Sequence, residues 1–164
     1  MKWILSFFVS VLTLSCFAQS TTSKIKVLGA YYTERLPGII PVDEDRKPRQ
    51  QTRDTTFVIY VETAQKNINW GYIWKGNKAF SAIPTRIDEV PYEVGKTKRS
   101  QRLIKLAPSN GRQLWQLELA PYAKDMKSPR GAKGNALLIK GKLNKKPFTI
   151  TVNKLTELYT PPSV

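Results

Sequence analysis

Apolar residues recur along the chain in short runs of strand length, separated by residues typical of turns. Residues 25–32 are rich in β-branched and aromatic side chains. Residues 55–62 form a continuous apolar run, which is typical of a strand covered on both faces. Beyond the first eighteen residues, no stretch repeats its apolar positions with the period of an α-helix. The pattern therefore predicts an all-β protein.

The dipeptide Asn110-Gly111 is the strongest turn signal in the chain. A two-residue turn fixes which residues of the flanking strands face each other. Around this turn, apolar residues would face apolar residues: Leu106 with Trp115, and Ile104 with Leu117. The sequence therefore predicts a hairpin centred on Asn110-Gly111.

Two further dipeptides predict hairpins by the same reasoning. Gly76-Asn77 suits a tight turn and would set large rings against small partners, with the pairs Trp74–Ala79, Tyr72–Ser81 and Trp70–Ile83. Asn144-Lys145 would produce the pairs Leu137–Val152, Ile139–Ile150 and Gly141–Phe148. Lysine is a poor residue for a positive φ, so a longer loop is the alternative at the last turn.

The fold class that follows is an antiparallel β-sandwich of about eight or nine strands, with a β-barrel as the alternative. Residues 19–164 are expected to form a single domain of this kind, because their number suits one hydrophobic core. The segment 37–54 contains three prolines, mixed charges and no periodicity, so we expect a long exposed loop there.

Residues 1–18 have the features of a secretory signal peptide: a lysine, an apolar run and small residues before a cleavage point. Cleavage after Ala18 would release a cysteine-free chain into the periplasm or the extracellular space. Alternatively, Leu14-Ser15-Cys16 resembles a bacterial lipobox, which would make Cys16 a lipidation site and the protein a membrane-tethered lipoprotein. A retained anchor is the third possibility, although the run is shorter than the roughly 20 residues that a span needs.

The chain is strongly basic. Removing residues 1–18 takes away only Lys2, which leaves 26 basic and 12 acidic side chains and a net charge of +14. Such a charge favours anionic partners. Export disfavours nucleic acid, so we expect an anionic envelope component, an acidic glycan or another exported protein.

Two groups of residues are candidates for binding such a partner. Anion binding is expected from basic residues in two segments, with solvated surface charge as the alternative: Lys96, Lys98, Arg99, Arg102, Lys105, Arg130 and Lys133. Ligand binding is also expected from three rings that alternate on one face of one strand, where they would form a flat aromatic platform, together with two lysines beside its turn: Trp70, Tyr72, Trp74, Lys75 and Lys78. Core packing is the alternative for the rings.

Catalysis is limited by the residues that are missing. The chain has no histidine, and Cys16 is its only cysteine, so imidazole-based triads and histidine metal sites are excluded. We expect no cofactor, no metal site and no enzymatic activity. The alternative enzyme would be a polysaccharide-active one that uses carboxylates among Glu62, Asp88, Glu89, Glu93 and Glu118. A third hypothesis is a structural or assembly subunit that offers an edge strand to a neighbour.

Overall fold

The computed structural model describes residues 24–35, 54–122, 126, 129 and 135–161. These residues contain ten strands and no α-helix: β1 (Ile25–Arg35), β2 (Asp54–Thr63), β3 (Ile68–Lys75), β4 (Lys78–Ile87), β5 (Tyr92–Lys96), β6 (Leu103–Leu106), β7 (Gln113–Pro121), β8 (Leu137–Leu143), β9 (Lys146–Val152) and β10 (Thr156–Glu157). The all-β prediction is confirmed. The predicted signal peptide and the loop predicted at 37–54, apart from Asp54, lie outside the described residues.

Eight strands form one large curled sheet in the order β10-β1-β2-β7-β4-β3-β8-β9, and β5 pairs with β6 in a small second sheet. All pairings are antiparallel except that of β1 with β10, which is parallel. The strands are thus slightly more numerous than predicted, and the large sheet is mixed.

The main core covers one face of the large sheet, which we call the inner face. Alternate residues of the central strands point to it, and the fully buried members include Ile59, Val61, Ile73, Leu117 and Ile139. Aliphatic and aromatic residues of β1, β8 and β9 complete this core. The curl of the sheet lets strands that are distant in sheet order share one hydrophobic interior.

A second, smaller core lies on the opposite face, which we call the outer face. Tyr31, Tyr60 and Leu114 are its buried members, and side chains of β5 and β6 pack over them, among them Tyr92 and Ile104. The small sheet therefore covers the outer face of β1, β2 and β7. This explains why β2 is apolar along most of its length, as the prediction for residues 55–62 required.

Two of the three predicted hairpins form with the expected register. The pairs Trp74–Ala79 and Tyr72–Ser81 join β3 to β4, and all three pairs predicted around Asn144-Lys145 join β8 to β9. The turn between β8 and β9 has only two residues, Asn144 and Lys145, with φ angles of 49° and 68°. Lysine therefore adopts the left-handed conformation here, and the longer loop is not needed.

The predicted hairpin at Asn110-Gly111 is wrong, although its turn is present. Arg112 N–H donates to the Ser109 carbonyl at 3.0 Å, and Gly111 has a φ of 74°. However, β6 pairs with β5, and β7 lies between β2 and β4. Both hydrogen-bonding edges of β7 are occupied by long ladders, which leaves no edge for β6. Distant strand pairing thus outweighs the local turn.

Candidate functional site

The three rings predicted to share one face of β3 lie on two faces. Trp70 packs against the inner core and contacts Phe148 edge-on, with ring centroids 5.9 Å apart. Ile73 also belongs to the inner core, so its neighbours Tyr72 and Trp74 point to the outer face. The rings contact each other there, at 5.9 Å between centroids. A single flat aromatic platform is therefore not present.

A β-bulge causes this division. The register between β3 and β8 shifts between Trp70 and Ile73, which changes the face to which the following residues point. Gly71 lies within the shift, and a Cβ atom there would stand 2.6 Å from the carbonyl oxygen of Lys140. The strands approach each other too closely at this point for any larger residue. The predicted pair Trp70–Ile83 is also absent, because the β3–β4 ladder ends at the pair Tyr72–Ser81, just before the bulge.

The outer pair of rings is largely enclosed. Trp74 is only 5% exposed, and its Nε1 atom has no hydrogen-bond partner. The Lys140 ammonium lies 5.7 Å from the centre of the Trp74 ring, and the Tyr72 hydroxyl donates to the Tyr122 hydroxyl at 3.2 Å. These contacts pack the rings and leave little of Trp74 to stack on a ligand. The ligand-binding role of the rings stays a prediction.

The two lysines predicted beside the aromatic strand flank the β3–β4 turn. Lys75 Nζ lies 5.1 Å from the centre of the Phe57 ring, at the margin of the inner core. Lys78 faces Lys75 across the turn and is exposed. Lys75 therefore helps to cover the core, whereas Lys78 is available to solvent.

The predicted anion-binding residues at 96–105 lie on the hairpin of β5, β6 and their connecting turn, which we call the basic hairpin. Lys98 is paired with Glu157, and Lys105 lies 2.7 Å from Glu93. The hydrogen bond and charge of Glu157 raise the pKa of Lys98 above its ordinary value. The remaining three predicted cations, Lys96, Arg99 and Arg102, are exposed. Arg130, Lys133 and the predicted lipidation site Cys16 lie outside the described residues.

An open cavity of about 670 Å³ lies where the start of β3 meets the turn between β8 and β9. Three lysines, three asparagines and one isoleucine line it: Lys66, Asn67, Ile68, Asn69, Lys142, Asn144 and Lys145. We call this cavity the lysine–asparagine groove. None of the lysines is paired with a carboxylate in the part of the chain that the structure describes.

This groove is not predicted from the sequence, because its two segments are far apart in the chain. The pair Asn69–Lys142 brings them together in the β3–β8 ladder. The Asn144 N–H also donates to the Asn67 carbonyl at 3.5 Å. A signal was available: Lys66-Asn67 and Asn144-Lys145 each place lysine beside asparagine at the end of a strand.

Glu62 is the one acidic residue that is buried among the described residues, at 1% exposure. Its carboxylate accepts hydrogen bonds from Ser109 N–H at 2.6 Å and Ser109 Oγ at 2.9 Å. Lys26 Nζ and Arg112 Nη1 lie 3.4 and 3.7 Å from it. Burial alone would raise the pKa of Glu62, but the Ser109 hydrogen bonds and the Lys26 charge outweigh it, so the pKa lies below its ordinary value. Glu62 therefore fastens the turn before β7 to the outer face.

The other carboxylates proposed for an enzyme are exposed, and two of them are paired with cations. Asp88 is paired with Arg86 at 2.7 Å and Glu93 with Lys105, while Glu89 and Glu118 are exposed. Within the described residues, no three histidine, cysteine, aspartate or glutamate side chains cluster as a metal site would require. The enzyme hypothesis thus gains no supporting geometry.

The described ranges contain no helix with the length and hydrophobicity of a membrane span. Comparison of the chain with protein-family models, curated proteins and solved structures found no match to any of them. The functional interpretation therefore depends on the chemistry of the surfaces described above.

Proposed function

We propose that this protein is an exported, non-catalytic binding protein whose partner is anionic. The observation that carries the proposal is the lysine–asparagine groove, where three ammonium groups line one cavity without a carboxylate among its lining residues. Lysine side chains that lack an internal counter-ion favour an external one. The positive net charge would raise the local concentration of such a partner around the whole molecule.

Binding at the groove must be distinguished from attraction by the net charge of the whole protein. Two variants with the same net charge separate these effects. The groove variant K66Q/K142Q/K145Q removes three charges from the cavity. The control variant K24Q/R35Q/K154Q removes three charges from exposed positions outside the groove and outside the predicted binding residues. Both variants have the same net charge, so a non-specific field would affect them equally.

Retention on an immobilised polyuronate, measured at increasing salt, tests the proposal. We expect the wild-type chain and the control variant to elute at similar salt, and the groove variant to elute clearly earlier. Equal elution of the two variants would mean that binding follows net charge only. Absence of retention at low salt would contradict an anionic partner of this class.

Export is a separate part of the proposal. We expect a chain that begins at Gln19 after expression in a secreting bacterial host, because Ala18 precedes a suitable cleavage point. Mass spectrometry of the mature protein checks this. A chain that begins at a lipid-modified Cys16 would support the tethered alternative, and an intact Met1–Ala18 segment would contradict export by cleavage.

Assembly through an edge strand is a second candidate function, favoured by one observation. In the part of the chain that the structure describes, β9 pairs with β8 alone, without a register shift. Residues 148–152 of β9 carry no charge and no proline. Alternation from the closing pair Leu143–Lys146 directs the backbone groups of Thr149 and Thr151 away from β8. Such an edge can accept another strand.

Light scattering at increasing protein concentration tests self-assembly through β9. Thr149→Pro removes the outward N–H without removing a bond to β8, whereas Thr149→Val keeps it. We expect any oligomer of the wild type to persist in Thr149→Val and to dissociate in Thr149→Pro. A wild type that stays monomeric would count against self-assembly.

A further inference from the structure

The lysine–asparagine groove offers two kinds of polar group to a ligand. Its ammonium groups, from Lys66, Lys142 and Lys145, can only donate hydrogen bonds and neutralise negative charge. Its side-chain amides can both donate and accept. A ligand that satisfies both kinds must therefore carry acids together with groups that donate hydrogen bonds.

The side-chain amides of the groove have few partners among the described residues. Asn67 and Asn69 are exposed, and within the part of the chain that the structure describes neither side-chain amide makes a hydrogen bond. The Asn144 side-chain N–H donates to Gln65 Oε1 at 3.5 Å, and no described residue donates to Asn144 Oδ1. The residues that line the groove thus carry three amide oxygens and three ammonium groups.

The size of the groove further limits which ligands can use it. The groove has a volume of about 670 Å³ and is open to solvent, so a bound ligand would lie along it and stay partly exposed. A single phosphate or carboxylate ion would occupy only a small part of it. A chain of two to four sugar rings would reach several of the lining groups at once.

The outer face of β8 continues the groove. Lys142 and Lys140 point to the same side of the strand, about 7 Å apart along it. Lys140 also contacts the Trp74 ring, which fixes its position. A row of cations therefore runs from the groove along the strand, as a linear polyanion would require.

We infer that the lysine–asparagine groove binds an acidic oligosaccharide, with the lysines holding its carboxylate or sulfate groups and the asparagines holding its hydroxyl groups. This inference rests on the proposed function and specifies its ligand. Phosphate groups and polyphosphates at neutral pH present mainly acceptors, so they offer almost no donors to the amide oxygens, which then keep only water as a partner. Sugar hydroxyls supply those donors.

Calorimetric titration with three probes tests the inference. The probes are a tetramer of galacturonic acid, inorganic tripolyphosphate and a neutral glucose tetramer. The proteins are the mature wild type, the groove variant K66Q/K142Q/K145Q, the amide variant N67A/N69A and the charge-matched control K24Q/R35Q/K154Q. All substituted positions are exposed, and urea denaturation of each variant verifies that it is folded.

We expect the wild type and the control to bind the galacturonate tetramer more tightly than tripolyphosphate, and the neutral tetramer weakly. The groove variant loses three exposed ion pairs, so its affinity for the galacturonate tetramer should fall by about tenfold. The amide variant loses two neutral hydrogen bonds, so its affinity for the galacturonate tetramer should fall by about five- to tenfold, while its affinity for tripolyphosphate stays unchanged.

The outcomes separate the inference from the proposed function. If the amide variant binds the galacturonate tetramer as the wild type does, the glycan assignment is overturned and a general anion site remains. If tripolyphosphate binds as tightly as the tetramer in the wild type, the same conclusion holds. If neither anion binds, both the inference and the proposed function fail.

Discussion

At the scale of single residues, the stability of the structure depends on a few side chains in unusual environments. Glu62 is a charged residue within the apolar run of β2, yet its carboxylate is fully engaged by Ser109 and two cations. A buried carboxylate is tolerated only when it is paired in this way. Glu62 therefore ties the second core to the turn before β7.

Replacing Glu62 by glutamine is expected to destabilise the protein by about 2–3 kcal/mol, because Ser109 loses its charged acceptor and Arg112 loses its counter-ion. Urea denaturation at neutral pH measures this. The control Lys26→Gln removes a 61% exposed partner and should cost less than about 1 kcal/mol. Equal effects of the two substitutions would contradict the role assigned to the buried carboxylate.

The pH dependence of stability follows from the same carboxylate. The pKa of Glu62 is lowered from 4.5 in the folded state, so the unfolded chain takes up a proton first as the pH falls. Its contribution is complete above the ordinary pKa and is lost as the pH falls through the folded value. The stability difference between the wild type and Glu62→Gln should therefore shrink in acid. A difference that is constant from neutral pH to pH 3 would refute this linkage.

Lys145 occupies a conformation that suits glycine, with a φ of 68°. Replacing it by glycine should raise the free energy of unfolding by about 0.5–1 kcal/mol, because a left-handed L-residue is strained. The same change should weaken binding of an acidic ligand, since it removes a groove lysine. Lys146→Gly, at the next position and within β9, is the control and should lower stability. Retention of a strained lysine at Lys145 would then be explained by binding.

At the scale of elements, close packing between β3 and β8 shapes the outer face. Gly71 and Gly141 lie on facing strands, and a Cβ atom at either would stand 2.6 Å from a backbone oxygen of the other strand. These contacts accompany the bulge that separates Trp70 from Trp74. They also bring Asn69 beside Lys142, on which the groove depends.

Replacing Gly71 by alanine is expected to cost about 2–3 kcal/mol, because the two strands must separate. In the control Gly111→Ala, the added Cβ atom meets no atom within 4 Å. This substitution should therefore cost only the backbone strain of a φ of 74°, which is about 1 kcal/mol. Thermal and urea denaturation compare the two. A smaller effect at Gly71 than at Gly111 would mean that the strands are not in tight contact.

Sequence reasoning succeeded for local elements and failed for distant ones. The turns at Gly76-Asn77 and Asn144-Lys145 determine their own strand registers, so both hairpins could be predicted from alternation. Strand β7 pairs with β2 and β4, which are distant in sequence, and β6 pairs with β5. No turn dipeptide indicates these pairings. The bulge near Gly71 likewise arises from contact with β8, so the division of the aromatic residues could not be seen in β3 alone.

At the scale of the whole molecule, two cores lie on opposite faces of one curled sheet, and two basic surfaces differ in how their cations are arranged. The basic hairpin has internal counter-ions for two of its five predicted cations, Lys98 and Lys105. The lysine–asparagine groove has none among its lining residues. The hairpin therefore keeps three exposed cations as well, and the groove differs from it in gathering its lysines around one cavity without a carboxylate among the lining residues.

The most direct measurement is a nuclear magnetic resonance titration of the isotope-labelled mature protein with the galacturonic acid tetramer. We predict chemical-shift changes at the backbone amides of residues 66–69 and 142–145, with little change at residues 97–102 of the basic hairpin. The changes should diminish with added salt. Changes confined to the basic hairpin, or no changes at saturating tetramer, would contradict the assignment of the groove as the binding site.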